Sequence, residues 1–352
     1  MNLFDLITPA NILAYWDNSA ASQVSYLSSA MFPSIQIQGL ELSKIGGRDG
    51  TPVQLKASAF DTQAPYRDRL SIEVTKKKMP FFRERMDIDE EDRQKILVIS
   101  NDALLRQYLD RIFDDAGNLI RGARATRERM AMELISTGHV KINGNGVKLD
   151  YDYGLSKKQR VNASVSWTDT ANSKPIQDLA DWVDYFRTTY RVNLGFAVMT
   201  TKTFNLIKAS QSTLSILYPN ASNLGGQIVT PRQVQDVISA YTGLQILIND
   251  GVYADEVGGA KKPFFPDYTV SLIPAGMTLG NMVFGTTPEQ IELYTNSKTA
   301  SNTRIVDTGV AVYSRLIDHP VNTEVIVSQI CLPSFGADVE GGAGNVLIGK
   351  VD

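Results

Sequence analysis

The sequence has very little of the chemistry on which most enzyme active sites depend. It contains one cysteine, Cys331, and two histidines, His139 and His319, in 352 residues. A single cysteine excludes a disulfide within the chain and a cysteine-rich metal site. The histidines lie far apart and have no nucleophile or carboxylate at a catalytic spacing, so we expect a structural or solvent-exposed role for each. Cys331 lies in an apolar run without a nearby cation, which predicts a buried, unreactive thiol.

Long apolar runs and an excess of positive charge are also absent. No stretch approaches the roughly 20 apolar residues of a membrane span, and residues 1–6 lack the basic start and apolar core of a secretory signal. We therefore expect a soluble intracellular product. The formal net charge is −3 at pH 7, which gives no general attraction for nucleic acid, because phosphate binding needs clustered lysine and arginine.

Three short motifs match ligand sites only in part. The acidic run at residues 87–92 offers oxygen atoms to a divalent cation, but it lacks the glycine and the terminal glutamate of a calcium loop. Residues 150–154 are too short for such a loop, and residues 143–146 lack the lysine and hydroxyl residue that end a phosphate loop. We predict no catalytic residue, no cofactor and no metal site.

The strongest local pattern predicts a long helix over about residues 101–137. Apolar side chains recur at spacings of three and four, as one face of a helix requires, although residues 115–118 are a candidate bend. Such a helix far exceeds the usual ~11–12 residues. After Gly138, residues 140–149 predict two strands around an Asn-Gly turn. We interpret the arginine-rich face of the helix as solvated or as a contact between subunits; its residues are Arg121, Arg124, Arg127 and Arg129.

The residues before this helix predict extended structure. Residues 1–45 predict a loose arm. Residues 46–95 predict an extended loop with alternating strands near 53–57 and 70–75. This loop has too few large apolar residues to form a core of its own. This loop carries blocks of both charge signs, which suits pairing between neighbouring copies. The candidate contact residues are Arg67, Arg69, Lys76, Lys77, Lys78, Arg83, Arg85, Asp87, Asp89, Glu90, Glu91 and Asp92.

Helix and strand patterns alternate after the long helix. Pro175 and the pair Thr230-Pro231 mark helix starts, and strands are predicted near residues 196–199, 244–248, 269–273 and 280–284. A β-rich run at residues 324–333 follows.

The order of these features resembles the Hong Kong 97-type capsid fold of tailed bacteriophages, and the chain is similar to the lambda-type major capsid protein E family. The residues that carry the resemblance lie at 64–85 and 138–142, and in the C-terminal passage at 281–285, 307–309, 314–315 and 321–332. It implies an α+β fold with an N-terminal arm (1–45), an extended β-loop (46–95), a peripheral domain with a spine helix (96–174), an axial α/β domain (175–314) and a return to the peripheral domain with a C-terminal tail (315–352).

The resemblance also implies a function. The chain would assemble with itself into hexamers and pentamers of an icosahedral head around phage double-stranded DNA, which it would contact non-specifically. The extended loop would lie over a neighbouring subunit. The implied partners are a separate scaffolding protein and a portal, with room for a decoration protein and no role for a membrane. The implied location is the virion capsid, assembled in the host cytoplasm.

Two alternatives remain open. An encapsulin-like nanocompartment shell protein shares the same fold. An intracellular α/β enzyme could form a ligand crevice in residues 175–310, although no constellation of acid, base, nucleophile or metal ligands is recognisable there.

Overall fold

The structure is a computed structural model that describes residues 7–19, 25–47, 72–88, 90–99, 102–220, 229–295, 302–318, 321–336, 338 and 344–352. The chain divides into two compact units that alternate along the sequence. The first unit comprises Met1–Leu42, Lys78–Met132 and Gly280–Ser334. The second comprises Ser43–Lys77, Glu133–Leu279 and Phe335–Asp352.

The described residues form helices and strands in both units. The helices are α1 (Pro9–Asn18), α2 (Leu27–Met31), α3 (Glu90–Val98), α4 (Asp102–Thr137), α5 (Pro175–Tyr190), α6 (Thr201–Ala209), α7 (Gln211–Leu217), α8 (Pro231–Thr242) and α9 (Pro288–Thr295), with a 3₁₀ turn at Lys157–Gln159. The strands are β1 (Ser34–Gln36), β2 (Glu41–Gly47), β3 (Ile72–Lys78), β4 (Phe81–Ile88), β5 (His139–Gly144), β6 (Val147–Asp152), β7 (Arg160–Asn162), β8 (Leu194–Met199), β9 (Gln245–Ile248), β10 (Val252–Tyr253), β11 (Lys262–Pro263), β12 (Thr269–Pro274), β13 (Gly280–Phe284), β14 (Thr303–Val306), β15 (Val310–Asp318), β16 (Val321–Phe335) and β17 (Leu347–Lys350).

A mixed sheet forms the core of the first unit. Its strand order is β1-β13-β16-β15-β14, and β4 also pairs with β16. The 15-residue strand β16 runs antiparallel to both β15 and β4, whereas β1 runs parallel to β13. The amide of Gln329 on β16 donates to the carbonyl of Ala123 at 2.9 Å, which places α4 against one face of the sheet.

The second unit contains a five-stranded sheet in the order β7-β17-β12-β8-β9 and the β5–β6 hairpin. Helix α5 packs Leu179, Trp182 and Phe186 into the core of this unit. The indole rings of Trp167 and Trp182 stack with centroids 6.0 Å apart. The buried carboxylate of Asp178 accepts hydrogen bonds from the Trp167 indole at 2.9 Å and the Ser164 hydroxyl at 2.7 Å, so this polar group is satisfied inside an apolar core.

The elements with local sequence signals are confirmed. Helix α4 is continuous over 36 residues and passes through the candidate bend. The β5–β6 turn has positive φ at Asn145 and Gly146, as an Asn-Gly hairpin turn requires. Helix α8 begins with a capping box in which Thr230 and Gln233 bond reciprocally.

The structure corrects the expectation for the residues that precede α4. Residues 81–88 are not part of a loop without a core, because β4 pairs with β16 along its whole length. Residues 90–98 form helix α3, whose first turn carries Glu90, Glu91 and Asp92, where the helix dipole favours negative charge. Strand β3 confirms the strand near 70–75 and pairs with β2. The strand expected at residues 53–57 lies outside the described residues.

The expected loose N-terminal arm is also corrected in part. Residues 9–18 form helix α1, where the Thr8 hydroxyl accepts a hydrogen bond from the amide of Asn11 at 3.3 Å. Ile12 and Trp16 on this helix are buried in the first unit. This part of the arm therefore contributes to a core.

The two compact units do not follow the domain boundaries that the sequence predicts. The sequence pattern groups residues 280–314 with the mixed α/β domain, but β13 and β15 lie beside β16 in the sheet of the first unit. Residues 347–350 return to the second unit, because β17 pairs with β12. Strand pairing between distant segments, which has no local signal, sets both boundaries.

The close approach of β17 to α5 within the second unit gives a first prediction. A methyl group at Gly349 would lie 2.6 Å from Cη2 of Trp182, well inside van der Waals contact. We expect Gly349→Ala to lower the free energy of unfolding by about 1–3 kcal/mol, because the stacked tryptophans must shift. Urea denaturation of the unassembled subunit measures this change. Gly276→Ala, whose added methyl would meet nothing within 4 Å, is the control, and equal unfolding midpoints for the two variants would contradict the prediction.

Candidate assembly surface

The two arginines of β4 among the candidate contact residues pair with carboxylates of their own unit. Arg83 and Arg85 lie two positions apart and therefore project from the same face of the strand. The Nη2 atom of Arg83 lies 3.2 Å from Oε1 of Glu289 on α9. The Nη1 atom of Arg85 lies 2.6 Å from Oε1 of Glu324 on β16. About half of each arginine side chain stays exposed, at 48% and 60%, so both can still contact another molecule.

Glu324 is the most buried member of this cluster, with 1% of its side chain exposed. The strand register places Arg315 of β15 directly opposite it on one side and Asp87 of β4 on the other. Nε of Arg315 donates to Oε2 of Glu324 at 2.7 Å, so each carboxylate oxygen receives one guanidinium. This hydrogen bond raises the pKa of Arg315 above its ordinary value. A buried carboxylate without such partners is strongly destabilising.

The remaining candidate contact residues are divided among several environments. The Lys77 ammonium donates to the carbonyl of Asp152 at 2.7 Å and lies 3.9 Å above the Tyr153 ring. Asp92 accepts a hydrogen bond from the Tyr108 hydroxyl at 2.5 Å. Lys95 lies 3.0 Å from Glu91. Lys76, Lys78, Asp87 and Glu90 are exposed, and Arg67, Arg69 and Asp89 lie outside the described residues.

The arginine face of α4 binds residues of its own unit, which corrects the expectation of a solvated or inter-subunit face for two of its residues. Arg124 holds Asp307 by two parallel hydrogen bonds of 2.8 and 2.7 Å, and Arg127 adds a third at 3.0 Å. The Arg124 guanidinium also lies 5.1 Å from the ring of Trp16 on α1, and that of Arg127 lies 5.5 Å from the Phe284 ring. The two arginines therefore join α1, α4, β13 and the β14–β15 turn.

Asp307 is adapted to this position in two ways. Its φ of +48° lies in the left-handed region, which aspartate and asparagine tolerate better than most residues. Burial disfavours its charged form, but the hydrogen bonds and charges of Arg124 and Arg127 outweigh burial and hold the pKa of this carboxyl below its ordinary value. The carboxylate of Asp307 is therefore ionised in the folded subunit near neutral pH.

The scarce nucleophilic and ligating residues do not form a reactive site in the described part of the chain. Cys331 is buried, as predicted, and burial raises the pKa of its thiol to about 12. Nδ1 of His139 lies 3.3 Å from a carboxylate oxygen of Asp150, and His319 lies outside the described residues. No group of three histidine, cysteine or acidic residues in the described ranges could hold a metal ion. No described helix is long and apolar enough to cross a membrane.

Comparisons with known proteins support the same architecture. The family described as phage major capsid protein E matches residues 8–319, whereas no curated protein matches the sequence. A protein assigned as the capsid protein of a prophage in E. coli CFT073 has a solved structure with a TM-score of 0.60 and 15% identity, over 98% of this chain and 99% of that one. A phage-related protein from Bordetella bronchiseptica RB50 has a TM-score of 0.52 and 10% identity, over 98% of this chain and 97% of that one.

The chain therefore has the Hong Kong 97-type capsid fold. The ion pairs at Glu324 and Asp307 join strands and helices within its first unit. It belongs to the phage major capsid protein E family, because the match covers most of both units, and it is a phage major capsid protein. The predicted family, fold class and function are confirmed. The match favours a phage capsid over an encapsulin-like shell.

The cluster at Glu324 gives a second prediction. Glu324→Gln should lower the free energy of unfolding by about 1–3 kcal/mol, because Arg85 and Arg315 lose a shared charged acceptor. The control is Asp87→Asn, since Asp87 lies 3.5 Å from the same Arg85 but has 37% of its side chain exposed. Exposed ion pairs contribute less to stability than buried ones, so the control should lower the free energy of unfolding by less than about 1 kcal/mol. Urea denaturation of the unassembled subunit measures both, and a control as damaging as Glu324→Gln would refute this ranking.

The cluster at Asp307 gives a third prediction, which depends on pH. Asp307→Asn should lower the free energy of unfolding by about 1–3 kcal/mol at pH 7, because two arginines lose a charged acceptor. Asparagine tolerates the positive φ of this position, so the change should not strain the backbone. The lowered pKa of Asp307 gives stability that is fully present above the unfolded pKa of about 3.9 and is lost as pH falls through the folded value. The wild-type advantage should therefore shrink below about pH 4.

Denaturation at pH 7 and at pH 3 tests this dependence. The matched control is Glu292→Gln on α9, which removes one exposed carboxylate from the same unit and should change stability little at either pH. A wild-type advantage over Asp307→Asn that is the same at both pH values would show that the ionised carboxylate is not what stabilises the cluster.

Proposed function

We propose that copies of this chain form hexamers and pentamers that close an icosahedral head around phage double-stranded DNA. The observation that carries the proposal is the family match over residues 8–319, which covers most of both units. In closed symmetric assemblies each contact is repeated in every subunit, so modest contacts add up to a stable shell. The role is structural, and we propose that the chain has no enzymatic activity. With a net charge of −3, its contacts with packaged DNA would be non-specific.

We further propose that a separate scaffolding protein and a portal act with this chain, and that shells assemble in the host cytoplasm. These partners are those that the family resemblance implies. A decoration protein would bind the outer surface of the finished shell.

We propose that the ribbon of β2 and β3, together with residues 48–71 between them, is the extended loop that contacts a neighbouring subunit. The exposed Lys76 and Lys78 and the exposed parts of Arg83 and Arg85 would take part in this contact. The proposed loop ends before β4, because β4 is paired within the sheet of the first unit.

Replacement of residues 48–71 by a short glycine-serine linker tests the loop. We expect a folded subunit that forms no shells, because the replacement leaves β3 and β4 in place while it removes the part of the proposed contact that residues 48–71 would make. Size-exclusion chromatography and negative-stain microscopy measure assembly of the full-length chain and of the variant, each expressed with and without its scaffolding protein. Urea denaturation confirms that the variant is folded.

Each outcome of this experiment has a clear meaning. Shells formed by the variant would overturn the role of the loop. A wild-type chain that stays monomeric under every condition would count against the proposed function itself.

A further inference from the structure

The tip of the β5–β6 hairpin carries both Asn-Gly pairs of the sequence. Asn143-Gly144 ends β5, and Asn145-Gly146 forms the turn that follows. All four residues are exposed. An asparagine before glycine is prone to spontaneous deamidation, because glycine has no side chain to hinder attack of its backbone nitrogen on the preceding side-chain amide.

This reaction needs only the two residues and water. The backbone nitrogen of the glycine forms a bond to Cγ of the asparagine. The bond from Cγ to the side-chain nitrogen breaks, and ammonia leaves with the proton of the backbone amide. Water then opens the cyclic imide at either of its two carbonyl groups, which gives aspartate or isoaspartate.

Backbone hydrogen bonding distinguishes the two glycine nitrogens. The last pair of the β5–β6 ladder is Gly144 with Val147, on either side of the two-residue turn. Such a closing pair exchanges both N–H···O bonds, so the nitrogen of Gly144 is held in the ladder. Among the described residues, the amide of Gly146 has no hydrogen-bond partner. Of the two, only the nitrogen of Gly146 is therefore free to attack an asparagine side chain.

The two sites also differ in what must move during the reaction. Attack at Asn143 requires a paired strand residue to rotate, which opens the end of the ladder. Asn145 lies beyond the last pair, so its backbone rotates without the loss of a ladder bond. Space does not distinguish the sites, since a Cβ added at either Gly144 or Gly146 would meet nothing within 4 Å.

The base of the hairpin is anchored within the second unit. The amide of Lys141 donates to Oε1 of Glu133 on α4 at 3.2 Å. The ammonium of Lys77 donates to the carbonyl of Asp152 at 2.7 Å. These bonds favour opening at the tip over opening of the whole hairpin.

Asp250-Gly251 provides an internal comparison, because aspartate before glycine forms the same imide with loss of water. Here the amide of Gly251 donates to Oδ1 of Asn249 at 3.1 Å. The carboxylate of Asp250 accepts a hydrogen bond from the amide of Thr201 at 2.7 Å. Both reacting groups are therefore held by other partners, which opposes the reaction.

We propose that Asn145 is a site of spontaneous deamidation in the folded subunit and that the fold protects Asn143. The modification is a property of the single subunit and does not rest on the proposed function. It adds one negative charge to a chain whose formal net charge is −3. In isoaspartate the main chain also gains one atom, and this atom enters the two-residue turn that sets the register of β5 and β6.

Peptide mapping of the full-length subunit after incubation in a mildly alkaline buffer tests the proposal. The tryptic peptide of residues 142–148 carries both asparagines, and its fragment masses show which one has become an acid. We expect Asn145 to react at least about tenfold faster than Asn143 in the folded subunit, because its reaction leaves the ladder closed. In concentrated urea the two rates should become similar, since glycine follows both residues.

Two variants serve as matched controls, and urea denaturation confirms that both are folded. Asn145→Gly keeps the turn, because glycine adopts the positive φ of this position. It should lower the isoaspartate in residues 142–148 at least about tenfold, as measured with an isoaspartate-specific methyltransferase. Asn143→Gln changes an exposed strand residue and should leave the isoaspartate content unchanged.

Three results would overturn the proposal. The first is equal rates at Asn143 and Asn145 in the folded subunit. The second is a folded subunit in which neither asparagine reacts while both react in urea. The third is isoaspartate at Asp250 that forms as fast as at Asn145, because backbone hydrogen bonding would then not control the reaction.

Discussion

The pairing of β16 with β4 and β15 is the interaction on which the first unit depends. It joins segments from distant parts of the chain, since Arg85 and Glu324 are 239 residues apart in sequence. The ladder places a nearly fully buried carboxylate between two arginines, and it positions the surface against which α4 packs through Gln329. Without this ladder, Arg85 and Arg315 would have no shared acceptor, and the apolar face of α4 would have no sheet to cover it.

The charged residues of the first unit mainly hold the subunit together. Arg83, Arg85, Arg124 and Arg127 all bind carboxylates of their own unit. Hydrogen bonds from a guanidinium group are directional. Where two arginines share one carboxylate, these bonds therefore fix the orientation of the carboxylate relative to the strands or the helix that carry the arginines. These polar contacts between segments that are distant in sequence thus help to specify the shape of the first unit.

The sequence predicted the elements whose signals are local. The helical periodicity of α4, the Thr230-Pro231 cap of α8 and the Asn145-Gly146 turn all depend on residues within a few positions of one another. The assignment of β4 to a loop failed because its partner strand is encoded near the other end of the chain. The pairing of Arg124 with Asp307 has no local signal for the same reason. Helix α1 is different, because Thr8-Pro9 carries the same local signal as Thr230-Pro231, and the prediction of a loose arm overlooked this signal.

The interleaved order of the two units has a consequence for synthesis. The chain passes between them five times, and β16, which completes the central ladder, spans residues 321–335. A ribosome adds about 5–20 residues per second, so β4 waits on the order of ten seconds or more after its own synthesis before its partner strand emerges. During that interval the first unit has an unpaired strand and an uncovered helix face, which other nascent chains could bind. Because the sheet of the first unit is completed only when β16 has been made, chains that end before residue 321 lack the strand that pairs with β4 and β15.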